Sequence, residues 1–303
     1  MKHLKFLAVV CCMAAMTFVS CKKDKTDEPK DPTTEQNGGN ENEEGTPDPI
    51  TYTLTVLSSD EAMGTVTGGG TYEEGTEVTL TATPTSDGYA FVKWSDENTD
   101  NPRTLTVTGN LELTAIFDYV AVDLGLSVKW ATCNVGASKS EDYGNYYAWG
   151  ETEPKTTYSW STYFDATDGG STFTKYTTDG KTVLDLEDDA ARANWGGAWR
   201  MPTDAEWTEL RENCTWTWTS DYNGTGVKGR IVTSNNNGNS IFLPVAGYRD
   251  DNNLGYAGNT GFYWSSSLCT DGSDYAWYVY FSSDYVKRKN TYRYYGLSVR
   301  PVR

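Results

Sequence analysis

The chain has 303 residues, with 42 acidic and 25 basic side chains and a net charge of −17. Such a surface repels phosphate backbones, which argues against a nucleic-acid partner. Its one histidine is His3, so beyond the first residues there is no Ser-His-Asp or Cys-His nucleophile, no imidazole proton shuttle and no His-containing zinc site.

Residues 1–20 read as an export signal. Lys2 and Lys5 precede the uncharged, mostly apolar run Phe6–Ser20, which is shorter than the roughly 20 apolar residues a spanning helix needs. Phe18-Val19-Ser20-Cys21 resembles a bacterial lipobox, departing from it at Phe18, where an aliphatic residue is usual. The resemblance implies that Cys21 is lipidated and that the acyl chains tie the protein to a membrane. Residues 21–50 are rich in Pro, Gly, Asn, Lys and acids and poor in apolar residues. They are expected to form a flexible tether. The charged residues after Cys21 resemble the export tags of surface lipoproteins in Bacteroidota. That implies an outer-membrane lipoprotein exposed at the cell surface, with a periplasm-facing orientation as the alternative.

Residues 51–118 carry 2 basic and 11 acidic groups and alternate apolar with polar residues. Strands are predicted at Tyr52–Val56, Glu77–Ala82, Leu105–Val107 and Leu111–Phe117, since Thr and Val suit a half-buried pleated surface. Gly68-Gly69-Gly70 is expected to be a hairpin turn. Gly64-Thr65-Val66, Tyr72–Leu80, Phe91-Val92-Lys93-Trp94 and Leu113–Phe117 together resemble the internalin-type B repeat of bacterial surface proteins. The resemblance implies a small all-β module that spaces or adheres.

Residues 119–303 hold ten of the 11 tryptophans and 18 of the 21 tyrosines. A core of large planar side chains linked by tight turns is expected. Thr203 is the predicted N-cap of a helix, with Glu206 three residues on as capping-box partner and Trp207 and Leu210 on its buried face. A shorter helix is expected near Glu187–Ala193, and strands at Ser240–Pro244, Phe262–Ser266, Ala276–Phe281 and Gly296–Val302. Val122–Ala137, Tyr146–Thr152, Trp199–Thr203, Leu243–Arg249, Tyr263–Ser267 and Ser298–Pro301 resemble the Fibrobacter major paralogous domain family. That family is similar to sulfatase-modifying-factor domains, which implies an α+β, C-type-lectin-like architecture for the C-terminal domain. The copper-binding cysteine pair of formylglycine-generating enzymes has no counterpart, because Cys269 alone lies in the last eighty residues.

Three cysteines follow Cys21. An oxidising compartment allows one disulfide, with Cys133 and Cys214 as the candidate pair, or three buried free thiols. Glu151 and Glu153 flank Trp149 at a spacing that invites a glycosidase reading, against which Glu151 reads as an acceptor for backbone groups. Asp250–Asn253 and Asp271–Asp274 offer oxygens for calcium, but neither matches an EF-hand, and solvated turns are the expectation. The aromatics proposed for display are Tyr256, Phe262, Tyr292, Tyr294 and Tyr295. The chain is therefore expected to be a non-enzymatic binding or adhesion protein for a glycan or protein ligand, with no catalytic residue, metal or cofactor. A structural subunit of a surface assembly and a carboxylate-only hydrolase are the alternatives.

Overall fold

The computed structural model describes residues 48–170, 172–177 and 180–303. The expected signal, Cys21 and all but the last residues of the tether lie outside them. The unit Pro49–Arg303 carries everything below. Among the described residues, no helix is long and apolar enough to cross a membrane.

The first part is a two-layer β-structure. Its strands are β1 (Thr51–Ser58), β2 (Gly64–Thr67), β3 (Gly70–Glu73), β4 (Glu77–Pro84), β5 (Tyr89–Trp94), β6 (Arg103–Thr106) and β7 (Leu111–Tyr119). They form one sheet in the order β3-β1-β7-β5 and a second in the order β2-β4-β6. Alternation decides which side chains meet between them. Leu54, Leu113 and Ala115 of the first sheet pack with Val78, Leu80 and Ala82 of the second around the fully buried Trp94. The intervening threonines face outward.

Gly68–Gly70 is not a hairpin turn. The strands it joins, β2 and β3, belong to different sheets, so the run is a crossover between layers. Gly68 has φ +100, and a Cβ there would collide with the Thr79 carbonyl and the Leu80 side chain. Only glycine allows this close passage.

The regular structure of the rest is mainly β, in small sheets. The short pairs β8 (Ala121–Val122) with β9 (Trp130–Ala131) and β10 (Ala166–Thr167) with β11 (Thr172–Phe173) come first, then α1 (Ala190–Trp195) and α2 (Asp204–Asn213). Next are β12 (Cys214–Thr219), β13 (Gly229–Ser234) and β14 (Ser240–Pro244), then the hairpin β15 (Tyr248–Asp250) and β16 (Asn253–Gly255). The chain ends with β17 (Gly261–Leu268), β18 (Tyr275–Phe281) and β19 (Val286–Tyr292). The strands β12-β13-β14 and β17-β18-β19 make the two three-stranded antiparallel sheets.

Gly296–Val302, expected as a strand, forms single bridges instead. Leu297 pairs with Tyr147, Ser298 with Tyr263, and Val302 with Trp130 and Arg200. Its partners lie on different elements, so no continuous ladder builds. The end of the chain closes on the start of the domain through reciprocal bonds of 2.9 Å between the Lys129 and Arg303 backbones.

The aromatic core explains how so much irregular backbone is tolerated. Buried peptide groups need partners, and the polar tips of buried rings supply them. Trp149 Nε1 donates to Ser265 O at 2.9 Å, Trp264 Nε1 to Tyr147 O at 2.8 Å, and Tyr263 Oη to Pro244 O at 2.8 Å. Each ring contributes apolar burial and a donor together.

The α2 start forms as the sequence predicts. Thr203 Oγ1 accepts from Glu206 N at 3.2 Å and Glu206 Oε2 accepts from Thr203 N at 2.7 Å. Glu206 also takes both Arg200 Nη atoms, at 2.5 and 2.8 Å. Burial opposes its ionisation, but Arg200 and the Thr203 N–H outweigh burial and hold the carboxyl below the usual glutamate range. A depressed carboxyl stabilises the fold above its unfolded pKa, and that contribution is lost as pH falls through the folded value. Glu206→Gln is therefore expected to cost about 1–2 kcal/mol at neutral pH. In urea titrations, the gap between variant and parent should narrow below about pH 4.

The three described cysteines are free and buried. The candidate Cys133–Cys214 disulfide is not formed. Cys133 Sγ donates to Ala137 O within its own loop at 3.4 Å, whereas Cys214 packs at the head of β12 against the cluster of Trp207, Leu210 and Val232. Burial raises the Cys133 thiol to about 11 and likewise the Cys214 thiol.

Candidate functional site

The sheet β17-β18-β19 builds an aromatic surface by simple alternation. Phe262 pairs with Tyr280 and Trp264 with Tyr278 in the antiparallel register, so these four rings share one face. Tyr263, Val279 and Phe281 point to the opposite face and join the core. Phe262 stacks on Tyr280 at 6.1 Å and on Tyr278 at 6.0 Å between ring centroids.

The hairpin β15–β16 and the segment after β19 raise walls around this surface. Tyr248 meets Phe262 at 5.0 Å and Tyr295 at 5.3 Å, and Tyr256 stacks on Tyr248 at 5.9 Å. Tyr285 closes the far end against Tyr280 at 5.2 Å. The result is an open cleft of about 290 Å³, completed by Thr260, Thr291 and Leu297. No acid, lysine, arginine or cysteine lines it. Tyr256 stands at its rim with 63 % of its surface exposed, the most exposed large hydrophobic side chain in this domain. Burial raises the phenols of Tyr248 and Tyr278 above the ordinary tyrosine value. Both therefore stay neutral at physiological pH, as donors and acceptors.

Three of the five aromatics proposed for display, Tyr256, Phe262 and Tyr295, converge in this cleft. Tyr292 and Tyr294 do not. Tyr292 stacks on Tyr275 at 4.8 Å, and Tyr292 and Tyr294 pack edge-on against Trp160, at 5.7 and 4.8 Å. They belong to the neighbouring aromatic cluster. Sequence reasoning missed Tyr248, Tyr278, Tyr280 and Tyr285. The Tyr278-Val279-Tyr280 alternation was the available signal, but it acquires meaning only once Phe262 is known to pair with Tyr280.

Glu151 is held as a structural acceptor. Its Oε1 takes Lys155 Nζ at 2.7 Å and Phe164 N at 3.0 Å, while Glu153 is exposed. Asp250–Asn253 forms the β15–β16 turn, with Asp251 at φ +49. Among the described residues, the carboxylates of Asp185, Glu187 and Asp188 converge, a cluster the sequence did not suggest. Lysines neutralise it: Lys175 Nζ lies 2.7 Å from Asp188 and 3.3 Å from Glu187, and Lys181 pairs with Asp185.

A second, polar cleft of about 590 Å³ lies beside the same hairpin, lined by Arg249, Tyr146, Lys155, Thr157, Tyr158 and Asn252 among others.

Comparison with known proteins divides the chain in two. No curated protein and no solved structure matches it. Residues 229–302, which include every residue lining the tyrosine cleft, match a family described as a domain of unknown function (DUF8237). Residues 52–121, the two-layer β-structure, match the divergent InlB B-repeat domain and so are similar to that repeat, as their sequence suggested.

Proposed function

We propose that this chain is a surface-anchored, non-enzymatic binding protein whose tyrosine-lined cleft takes a glycan. The observation that carries the reading is the cleft itself. It offers neutral aromatic faces and hydroxyls, and no charged side chain lines it. Pyranose C–H faces pack on such rings while phenol and threonine hydroxyls reach the sugar oxygens. The B-repeat-like part serves as a spacer. The signal-like segment and Cys21 support a lipid anchor at the outer membrane, facing outward. The net charge of −17 disfavours nucleic acid as a partner.

For the C-terminal domain we propose the C-type-lectin-like architecture of the Fibrobacter major paralogous family. Two features support it: the domain's end pairs with its beginning, and loops over small sheets form the candidate ligand surface.

A glycan array probed with the purified chain tests the function. Binding to a restricted set of saccharides is expected. Silence across the array at millimolar sensitivity argues against the reading.

A further inference from the structure

We propose that the polar cleft beside the tyrosine cleft is a second subsite, built around Arg249 to hold the carboxylate of a sugar acid. Successive residues of β15 point to opposite sides. Tyr248 lines the tyrosine cleft and Arg249 the polar one. A single hairpin thus separates a ring-stacking surface from a cationic one, and an acidic saccharide carries groups for both.

The Arg249 guanidinium is half-buried, and among the described residues it makes no ion pair and no hydrogen bond. Its side-chain partner is the Tyr146 ring, 5.4 Å from the guanidinium carbon. That is unusual for an arginine lining a cleft in a domain where acids outnumber bases, 22 to 17. The guanidinium is a planar fork of donors that matches a carboxylate in bidentate fashion, and here that fork is unspent. The other cation of the cleft, Lys155, is already paired with Glu151, so Arg249 supplies the cleft's net positive charge.

The backbone that carries this side chain is braced on both sides. The Arg249 N–H donates to Gly296 O at 2.7 Å, and Gly296 N donates back at 3.0 Å. The Asp251 backbone exchanges bonds of 2.8 and 2.9 Å with Tyr158. Thr157 Oγ1 donates to Asn252 Oδ1 at 2.6 Å, which turns the Asn252 amide so that its NH₂ remains a free donor in the cleft. Two donor groups on a braced hairpin lower the ordering cost of binding.

The glycan reading enters only in choosing a sugar acid as the carrier of the carboxylate. The experiment is an NMR titration of the purified chain with sodium D-glucuronate, its methyl ester and inorganic phosphate, following, in parent and variants alike, the backbone amide resonance of Asn252 in the same cleft. Glucuronate is expected to shift it saturably. The ester, and the Arg249→Gln variant, should bind at least tenfold more weakly. Arg249→Lys, which keeps the charge without the fork, should fall between.

No saturation by glucuronate, equal binding of the ester, or undiminished binding by Arg249→Gln overturns the proposal. So does phosphate binding as tightly as glucuronate. Leu254→Ala, exposed on the same hairpin and lining neither cleft, should leave this titration unchanged. A saccharide held at the tyrosine cleft while glucuronate fails at Arg249 sinks this inference alone. Glucuronate bound at Arg249, with no saccharide at the tyrosine cleft, sinks only the proposed function.

Discussion

Arg300→Met is expected to destabilise the chain by about 3–5 kcal/mol. Arg300 is fully buried and forms no ion pair with a carboxylate among the described residues. Its donors bridge backbone from two parts of the domain. Nε donates to Asn134 Oδ1 at 2.9 Å, Nη1 to Ala131 O at 3.0 Å and to Thr132 O, and Nη2 to Phe242 O at 3.0 Å. Burial pushes its pKa down, though the guanidinium stays charged at any working pH. Methionine fills much of the volume but donates nothing. It leaves three carbonyls and an amide oxygen stranded, at about 1–3 kcal/mol for each left without water. Lysine, a compact cation, cannot reach all four acceptors and should recover only part of the loss. Urea denaturation of the two variants checks the size and the order of these effects.

Gly88→Val is expected to uncouple the B-repeat-like part from the domain that follows. Gly88 N donates to Ser138 O at 3.1 Å, and Ser86 Oγ donates to the same oxygen at 2.6 Å. A Cβ at Gly88 would overlap that carbonyl and press on Cys133 Sγ. Backbone cannot yield cheaply, so the contact must open. The contact is part of a larger seam. Tyr119 stacks on Trp195 at 3.5 Å, Trp199 Nε1 donates to Asp118 at 3.1 Å, and Arg303 pairs with Asp118. With the seam intact, scanning calorimetry should give one cooperative transition for residues 49–303. The variant should give two, the first at a lower temperature than the parent's.

Local signals were the readable part of this sequence. The Thr203–Glu206 capping box needs only four adjacent residues, and it forms as read. Strands such as Ser240–Pro244 announce themselves by composition. What could not be read depends on pairing. Gly68–Gly70 looks like any glycine turn until β2 and β3 are assigned to different sheets. Gly296–Val302 has the composition of a strand, yet its bridge partners Trp130, Tyr147, Arg200, Arg249 and Tyr263 lie in five separate stretches of chain. The cleft draws on residues from Tyr248 to Leu297, and Tyr280 and Phe262 face the same way only because of the β17–β18 register. Tyr292 and Tyr294 were equally aromatic in sequence. Trp160, more than a hundred residues earlier, claims them.

The tyrosine cleft as a saccharide site is the claim on which the functional account turns. Its most direct test is calorimetric titration, using whichever saccharide the array selects, against the parent chain, Tyr256→Ala and the exposed control Leu254→Ala. Because Tyr256 is exposed, its loss should leave thermal stability nearly unchanged, within about 0.5 kcal/mol. Affinity should nevertheless fall at least tenfold, on the order of 1.4 kcal/mol, while Leu254→Ala binds as the parent does. Full affinity in Tyr256→Ala would contradict the account.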